Sequence, residues 1–306
     1  MTKSVDITTI ILEKCFFYLN LTNERAKLQI IFRNFAAVYV NYRRKKKIMK
    51  KRIVIKIGSN VLTRKDGKLD VTRMSALVDQ VAWLRKQDIE VILVSSGAVA
   101  CGRSELKVDH SLDSVEQRQL FSAIGQVKLI GLYYEFFREH GLHVGQVLTM
   151  KENFEPGEQY RNQQACMKVM LENDVLPIVN ENDTVSVTEL MFTDNDELSG
   201  LIAQMMNADT LILLSNIDGI FDRHPDDPDA KLIAKVAPGS DLSEYIQPEK
   251  SAFGRGGMHS KYMTASKVAQ AGIRVIIANG ERAQILPDLI EKPEETVHTE
   301  FLPKTD

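Results

Sequence analysis

Residues 52–60 read RIVIKIGSN, a run of mostly β-branched residues that ends at a glycine and continues into small polar residues. Similar apolar runs follow at 90–94, 175–179, 210–214 and 274–278. Runs of Val, Ile and Leu without polar alternation are typical of strands that are covered on both faces. The pattern predicts an α/β fold: a three-layer sandwich with a central, mainly parallel sheet between helices.

Segments with helical spacing lie between these runs, because their apolar residues recur at intervals of three and four. We predict the helices at 72–87, 115–140, 160–173, 196–207 and 258–271. Residues 143–148 alternate like a strand, and 274–278 is the last clear strand. The irregular stretch 222–251 is expected to lie over the surface near a site.

Charge is distributed unevenly along the 306 residues, although the net charge is only −2. Residues 1–50 carry 11 Lys and Arg against 3 Asp and Glu, which leaves a net +8 there and −10 in the remainder. We therefore divide the chain into a basic extension, 1–48, and an acidic domain, 49–306. An acidic domain argues against nucleic acid as its main partner.

The extension has two interpretations. The basic run at 43–47 could bind anionic lipid or RNA. Alternatively, Met49 is the true start and the upstream residues are not translated natively. The apolar runs of the extension are interrupted by charges and are too short to span a bilayer, so we expect no membrane partner. Three scattered cysteines are typical of a reducing, cytoplasmic location.

Polar segments, four of which contain glycine, follow five of the predicted strands: KIGSN, SSGAVACG, NENDTV, SNIDG and NGE. Ligands bind outside the carboxyl ends of the strands in open α/β sheets. Five such segments indicate an extended ligand or two ligands side by side, although turn chemistry alone also enriches these residue types.

Two lysines are candidates for binding phosphate. Lys56 lies in an apolar strand, where a buried ammonium needs a nearby anion unless it reaches solvent. Lys261 lies one turn inside a helix that glycines precede, and helix N-termini favour anions. Four acidic residues lie between them in sequence, either in a solvated loop or near a cation: Glu181, Asp183, Asp194 and Asp196. Lysines, glycine loops and carboxylates together suit phosphoryl transfer.

The motifs KIGSNVLT, VSSGAVACGR, PIVNENDTV, FTDNDELSGLIA and GRGGMHSK occur in this order from about residue 51 to 280. This series resembles the amino-acid kinase family, and within it the members that phosphorylate the side-chain carboxylate of L-glutamate. The resemblance implies ATP, Mg²⁺ and glutamate as ligands and L-glutamyl 5-phosphate, the first intermediate of proline synthesis, as product. Mg²⁺ is then bound mainly through the ATP phosphates, with no metal ligands from the protein.

The resemblance also assigns roles to individual residues. Lys56 and Lys261 neutralise the transferring phosphoryl group, and Asp196 orients both lysines. Glutamate is held by Ser96, Asp183 and Asn195, with Asp183 facing the α-amino group. ATP is expected to contact the following residues: Lys56, Ser215, Asn216, Arg255, Gly256, Gly257, Met258, His259, Ser260 and Lys261.

Some features depart from the family pattern. Asn216 stands where an aspartate is usual, and Arg255 where a threonine is common. Many members continue into a C-terminal PUA domain, which we do not expect in a chain that ends at Asp306. The resemblance further implies a homo-oligomer, feedback inhibition by proline and a hand-off of the labile product to glutamyl-phosphate reductase.

Two alternatives remain at this point. One is another kinase of the family, acting on uridylate, aspartate or acetylglutamate, against which the NEND and DND motifs argue. The other is a catalytically inactive sensor that binds glutamate or proline. The presence of Lys56, Asp196 and Lys261 argues against a sensor.

Overall fold

The computed structural model describes residues 50–186, 192, 194–246 and 257–305. The described residues from Lys51 onward belong to one compact unit. The basic extension, together with the predicted boundary at residue 49, lies outside them, and so do Arg255 and Gly256. The division of the chain into 1–48 and 49–306 therefore stays a prediction.

Eight strands form one sheet within the described residues. They are β1 (Arg52–Ile57), β2 (Glu90–Ser95), β3 (His143–Thr149), β4 (Val175–Glu181), β5 (Thr210–Ser215), β6 (Lys235–Val236), β7 (Arg274–Asn279) and β8 (His298–Phe301). Their order is β3-β4-β2-β1-β5-β7-β8-β6, and every pair is parallel except β7 with β8. The prediction of a mainly parallel sheet is confirmed.

The longer helices lie close to their predicted positions. In chain order the helices are α1 (Ser59–Leu62), α2 (Val71–Lys86), α3 (Ala98–Glu105), α4 (Ser114–Glu139), α5 (Glu158–Glu172), α6 (Asn195–Met205), α7 (Met258–Gln270) and α8 (Ile285–Glu291). Short 3₁₀ turns occur at Lys151–Phe154, Ser243–Tyr245 and Pro293–Glu295. None of the helices in the described ranges is long and apolar enough to cross a membrane.

The sheet separates two hydrophobic clusters. One contains buried residues of α2, α4 and α8, and the other contains buried residues of α5, α6 and α7. Alternate residues of β1 divide between them: Ile53, Ile55 and Ile57 join the first cluster and Val54 joins the second. Because side chains alternate along a strand, Lys56 faces the same layer as Val54, which is the layer that contains α6.

The expectation that 274–278 is the last strand was wrong, because β8 follows it and pairs with β7. This strand reads HTEF and is buried along its whole length, although three of its four residues are polar. Partners elsewhere compensate for their burial: the backbone N–H of Ile220 donates to Thr299 Oγ1 at 2.8 Å, and Glu300 pairs with Arg274. A strand whose polar side chains are satisfied by distant partners has no apolar pattern to reveal it.

Strand register brings the predicted polar segments to one edge of the sheet. Ile57 at the end of β1 lies opposite Ser95 of β2 on one side and Leu214 of β5 on the other. The chain leaves these strands on the same side, so the segments at 58–60, 96–100 and 215–219 emerge together.

Candidate active site

A cavity of about 1150 Å³ opens at the carboxyl ends of β1, β2, β4 and β5. Four of the five predicted polar segments line it, namely those that begin at Lys56, Ser95, Asn180 and Ser215. The fifth, at 279–281, is not among the described lining residues; Asn279 instead donates to Asp218 at 3.1 Å. Described residues of the irregular stretch, Arg223 and Tyr245 among them, do line the cavity, as predicted.

Lys56, Asp196 and Lys261 form a buried cluster in the cavity wall. The Nζ of Lys56 lies 2.5 Å from Asp196 Oδ1, and the Nζ of Lys261 donates to Asp196 Oδ2 at 3.0 Å. The exposed fractions of the three residues are 5%, 0% and 8% in chain order. One carboxylate thus contacts two ammonium groups, one through each of its oxygens. The role of Asp196 in orienting catalytic lysines stays a prediction.

The beginnings of α6 and α7 position this cluster. Asp194 is the N-cap of α6, and its Oδ1 accepts hydrogen bonds from the backbone N–H groups of Asp196 and Glu197 at 2.9 and 3.1 Å. Lys261 lies in the first turn of α7. A Cβ on Gly200 of α6 would meet Thr264 of α7 at 2.9 Å, so this glycine permits the two helices to pack closely.

Burial and charge act in opposite directions on the ionisable groups of the cluster. Burial lowers the pKa of Lys56, and the charge of Asp196 only partly offsets that effect. Burial alone would raise the pKa of Asp196, but the ammonium groups of Lys56 and Lys261 outweigh it and hold that pKa below its usual value. The pKa of Asp194 is raised, first by burial and then by the charge of Asp196.

Asn195 connects the ends of two strands, β2 and β4, through one amide group. Its Nδ2 lies 2.9 Å from Ser96 Oγ, 3.1 Å from the carbonyl oxygen of Ser95 and 3.0 Å from Asn180 Oδ1. Asn180 in turn donates to Gln126 Oε1 of α4 at 2.9 Å. The predicted glutamate-side residues Ser96 and Asn195 are therefore in direct contact and line the same cavity.

Asp183, the third predicted glutamate-side residue, is paired with an arginine. The Nε of Arg118 donates to Asp183 Oδ1 at 2.8 Å, and another nitrogen of Arg118 lies 3.4 Å from Glu181 Oε2. Both Arg118 and Asp183 line the cavity. The predicted contact of Asp183 with an α-amino group stays a prediction, and the observed partner is a guanidinium.

The residues predicted to bind ATP divide into two groups. Ser215, Asn216, Gly257 and Met258 line the cavity together with Lys56 and Lys261. His259 is exposed and Ser260 is half-buried, and neither is among the lining residues. Ser260 instead hydrogen-bonds Asp194, which counteracts the rise in the pKa of that carboxyl.

Sequence reasoning did not single out Arg118 or Asn180. Asn180 stands in the NEND motif, so its signal was its place at a strand end beside Asp183. Arg118 carries no local signal, because it is one polar residue in the first turns of a 26-residue helix. Its contact with Asp183 spans 65 positions of the chain and arises only from the packing of α4 beside the end of β4.

Comparison with known proteins places the chain in a family. The model of the amino acid kinase family matches residues 51–279. A carbamate kinase from Giardia lamblia bound to AMP-PNP has a similar fold, with a TM-score of 0.60 at 18% identity over 84% of this chain and 99% of that one. A UMP kinase from Ureaplasma parvum has a TM-score of 0.56 at 17% identity, over 83% and 99% of the two chains. The chain therefore belongs to the amino acid kinase family, as the motifs indicated.

Closer relatives identify its branch of that family. A glutamate 5-kinase from Bacteroides thetaiotaomicron is 65% identical over 255 residues, which cover 83% of this chain and 71% of the relative. A glutamate 5-kinase from Chlorobaculum tepidum is 46% identical over 77% of this chain and 65% of that relative. Within the family, the chain groups with the proteins that bear this name.

Proposed function

We propose that the chain transfers the γ-phosphoryl group of ATP to the side-chain carboxylate of L-glutamate. The products are ADP and L-glutamyl 5-phosphate, which opens the route from glutamate to proline. The observation that carries the proposal is the buried cluster of Lys56, Asp196 and Lys261 in the same cavity as the contact between Ser96 and Asn195. One part of the cavity wall thus suits a phosphoryl group, and the adjoining part suits a small polar acceptor.

The chemistry requires charge neutralisation more than proton transfer. The acceptor carboxylate is already ionised at neutral pH, because a glutamate side chain has a pKa of about 4.3. Its oxygen forms a bond to the γ-phosphorus while the bond from that phosphorus to the β-phosphate oxygen breaks, and ADP leaves. The obstacle is the approach of an anion to a polyanion, which two fixed ammonium groups counteract.

Lys56 and Lys261 supply those two positive charges, and Asp196 keeps them in place. Since Asp196 balances one of the two, the cluster retains one net positive charge in a buried environment. Charges fixed before the reaction need no reorganisation as the transition state forms. Ser96, Asp183 and Asn195 are proposed to hold glutamate so that its side-chain carboxylate points toward this cluster.

In this proposal Mg²⁺ arrives with ATP. Within the described ranges, no three His, Cys, Asp or Glu side chains come together as possible metal ligands. Asp196, the most buried carboxylate of the cavity, is engaged by the two lysines. Because Asp196 is engaged in this way, the phosphate oxygens of ATP are proposed to be the main ligands of the ion. When bound, the ion would supply further neutralisation of their charge.

A coupled assay of ADP release across four acceptors tests the proposal. We expect turnover with L-glutamate and little with aspartate, N-acetylglutamate or UMP. No turnover with glutamate would overturn the proposal, and calorimetric binding of glutamate without ADP release would identify the chain as a sensor instead.

Replacement of one lysine separates chemistry from binding. We expect Lys261→Ala to lower kcat by about a hundredfold to a thousandfold, the usual effect of losing one preorganised charge-stabilising group. Glutamate binding should persist in calorimetry, since its proposed contacts lie elsewhere. Lys267→Ala is the matched control, because Lys267 lies in the last turn of the same helix and is exposed.

Further predictions rest mainly on the resemblance and, for the location, also on the three scattered cysteines. They are a homo-oligomeric state, inhibition by proline, a cytoplasmic location and a hand-off of the product to glutamyl-phosphate reductase. The labile acyl phosphate gives the last of these a chemical reason, because a product that hydrolyses in water benefits from rapid consumption.

A further inference from the structure

Several described cations that line the cavity have no role in the proposed function, and Arg118 is one of them. Arg118, in the first turns of α4, contacts the carboxylates of both Asp183 and Glu181 at the end of the cavity wall that carries the predicted glutamate residues. The side chains of Arg118 and Asp183 are 17% and 13% exposed, and that of Glu181 is 1% exposed. The guanidinium is therefore largely withdrawn from solvent while still facing the cavity.

A second carboxylate, that of Glu181, holds Arg118 in place. Glu181 Oε1 accepts hydrogen bonds from Ser186 Oγ at 2.8 Å and from the backbone N–H of Phe192 at 3.1 Å, so this carboxylate is held independently of the arginine. The neighbouring Gln119 donates to the carbonyl oxygen of Thr184 at 2.8 Å, which ties α4 to the loop after β4. Arg118 thus keeps one buried carboxylate partner if a ligand engages Asp183.

The pair of Arg118 and Asp183 matches the two charged groups on the α-carbon of an amino acid. A carboxylate and a guanidinium, side by side, present one negative and one positive charge at hydrogen-bonding distance. The α-ammonium and α-carboxylate of glutamate carry the complementary charges on two groups bonded to the same carbon. Arginine is also the cation best shaped to bind a carboxylate through two parallel hydrogen bonds.

We propose that Arg118 binds the α-carboxylate of the acceptor amino acid, while Asp183 binds its α-ammonium group. The substrate inserts its own pair of charges into the ion pair, and Glu181 retains the guanidinium during the exchange. Arg118 is then a residue that selects an α-amino acid over an acceptor without the α-carboxylate. This inference rests on the proposed function, since it concerns the acceptor of that reaction.

If Arg118 had only a structural role, the effect of its replacement would differ. If Arg118 only orients Asp183, its loss weakens the contact with the ammonium group and leaves the contribution of the α-carboxylate unchanged. Two analogues of glutamate separate these cases. The compound 4-aminobutyrate lacks the α-carboxylate, and glutarate lacks the α-amino group.

The experiment compares L-glutamate, 4-aminobutyrate and glutarate as ligands of the wild type and of Arg118→Gln, by calorimetric Kd and by ADP release. We expect the preference of the wild type for glutamate over 4-aminobutyrate to fall at least tenfold in Arg118→Gln. Its preference for glutamate over glutarate should change much less. Arg138→Gln is the matched control, because Arg138 is exposed at the other end of α4 and should leave both preferences unchanged.

Two outcomes would overturn the proposal. One is an unchanged preference for glutamate over 4-aminobutyrate in Arg118→Gln, and the other is a loss confined to the preference over glutarate. Arg118→Lys keeps the positive charge but cannot form two parallel hydrogen bonds, so its preference for glutamate over 4-aminobutyrate should be intermediate. A preference equal to that of the wild type would also contradict the proposal. This second variant decides the question if Arg118→Gln does not fold.

The calorimetric readout also separates this inference from the proposed function. If the wild type binds glutamate but releases no ADP, the proposed function fails and the Kd values still test Arg118. If ADP is released and the preferences do not depend on Arg118, only the present inference fails.

Discussion

The side-chain amide of Asn195 donates a hydrogen bond of 2.9 Å to Ser96 Oγ, across 99 positions of the chain. The next residue, Asp196, contacts the Nζ atoms of both Lys56 and Lys261. Consecutive residues at the beginning of α6 therefore belong to the two halves of the proposed reaction, one facing the acceptor and the other facing the phosphoryl group. The first turn of this helix sets the distance between the halves.

The amide of Asn195 is expected to be essential for the acceptor side. In Asn195→Asp a carboxylate would face the carbonyl oxygen of Ser95, so a buried acceptor would lose its donor. We expect kcat/KM for glutamate to fall about tenfold to a hundredfold, the range for an unsatisfied buried group of this kind, while KM for ATP changes little. Steady-state kinetics with each substrate varied would check this. Asn173→Asp, at the exposed end of α5, is the control.

The carboxylate of Asp196 is expected to govern both rate and stability. Asp196→Asn leaves two buried ammonium groups without their shared anion, and breaking a buried ion pair costs about 3–5 kcal/mol. We expect a lower free energy of unfolding in urea and a kcat reduced about a hundredfold or more. Asp79→Asn should alter neither, since the side chain of Asp79 is 62% exposed. A variant with wild-type kcat would show that the lysines need no orienting carboxylate.

Rate should decline at alkaline pH, and Asp194 should set where that decline begins. In the proposed reaction Lys56 neutralises phosphate only when protonated. Burial lowers its pKa, so we expect activity to be lost at a lower pH than the ordinary lysine pKa would give. The charge of Asp194 raises the pKa of Lys56. Asp194→Asn removes that charge but retains a good N-cap, and should therefore shift the alkaline limb to lower pH.

A profile of kcat against pH for the two proteins measures this shift. Asp70→Asn is the control, because Asp70 caps α2 in the same manner, accepting from the backbone N–H of Arg73 at 3.0 Å. An alkaline limb that stays in place, or moves to higher pH, would contradict the assignment of that limb to Lys56.

Replacement by alanine of two glycines in α4 should change the stability of the protein in opposite directions. A Cβ on Gly125 would lie 1.8 Å from the carbonyl oxygen of Ala98, so α3 and α4 would be forced apart beside Ser96. We expect Gly125→Ala to destabilise the protein by about 1–3 kcal/mol or more. Gly131 has no neighbour within 4 Å of such a Cβ, and Gly131→Ala should stabilise by about 0.5–1 kcal/mol. Urea unfolding of both variants gives the comparison, and similar effects would refute the close packing.

Apolar runs in the sequence predicted those strands whose burial is visible in neighbouring residues. The strands β1, β2, β4, β5 and β7 are buried on both faces, so each reads as an apolar run. By contrast, β8 and α3 were not predicted. The strand is polar and depends on partners such as Arg274, and α3 lies in a segment whose glycines and small residues suggested only a loop.

The candidate site divides in the same way. The order of motifs, and the family resemblance they carry, singled out Lys56, Asp196, Lys261, Ser96 and Asn195 before any distance was known. Only the tertiary structure brings Arg118 to Asp183 and Asn180 to Asn195. A motif records residues that are adjacent in the chain, whereas these contacts arise from strand order and helix packing between segments far apart in it.

The sequence by itself thus determined the class of fold and the family, because strand burial and strand-end motifs are local properties. It also predicted the residues of the buried cluster, Lys56, Asp196 and Lys261. The tertiary structure alone decided how the acceptor side is built. There, the register of parallel strands and the packing of α4 place an arginine from one helix against carboxylates from another segment. Such a juxtaposition leaves no trace in the order of neighbouring residues.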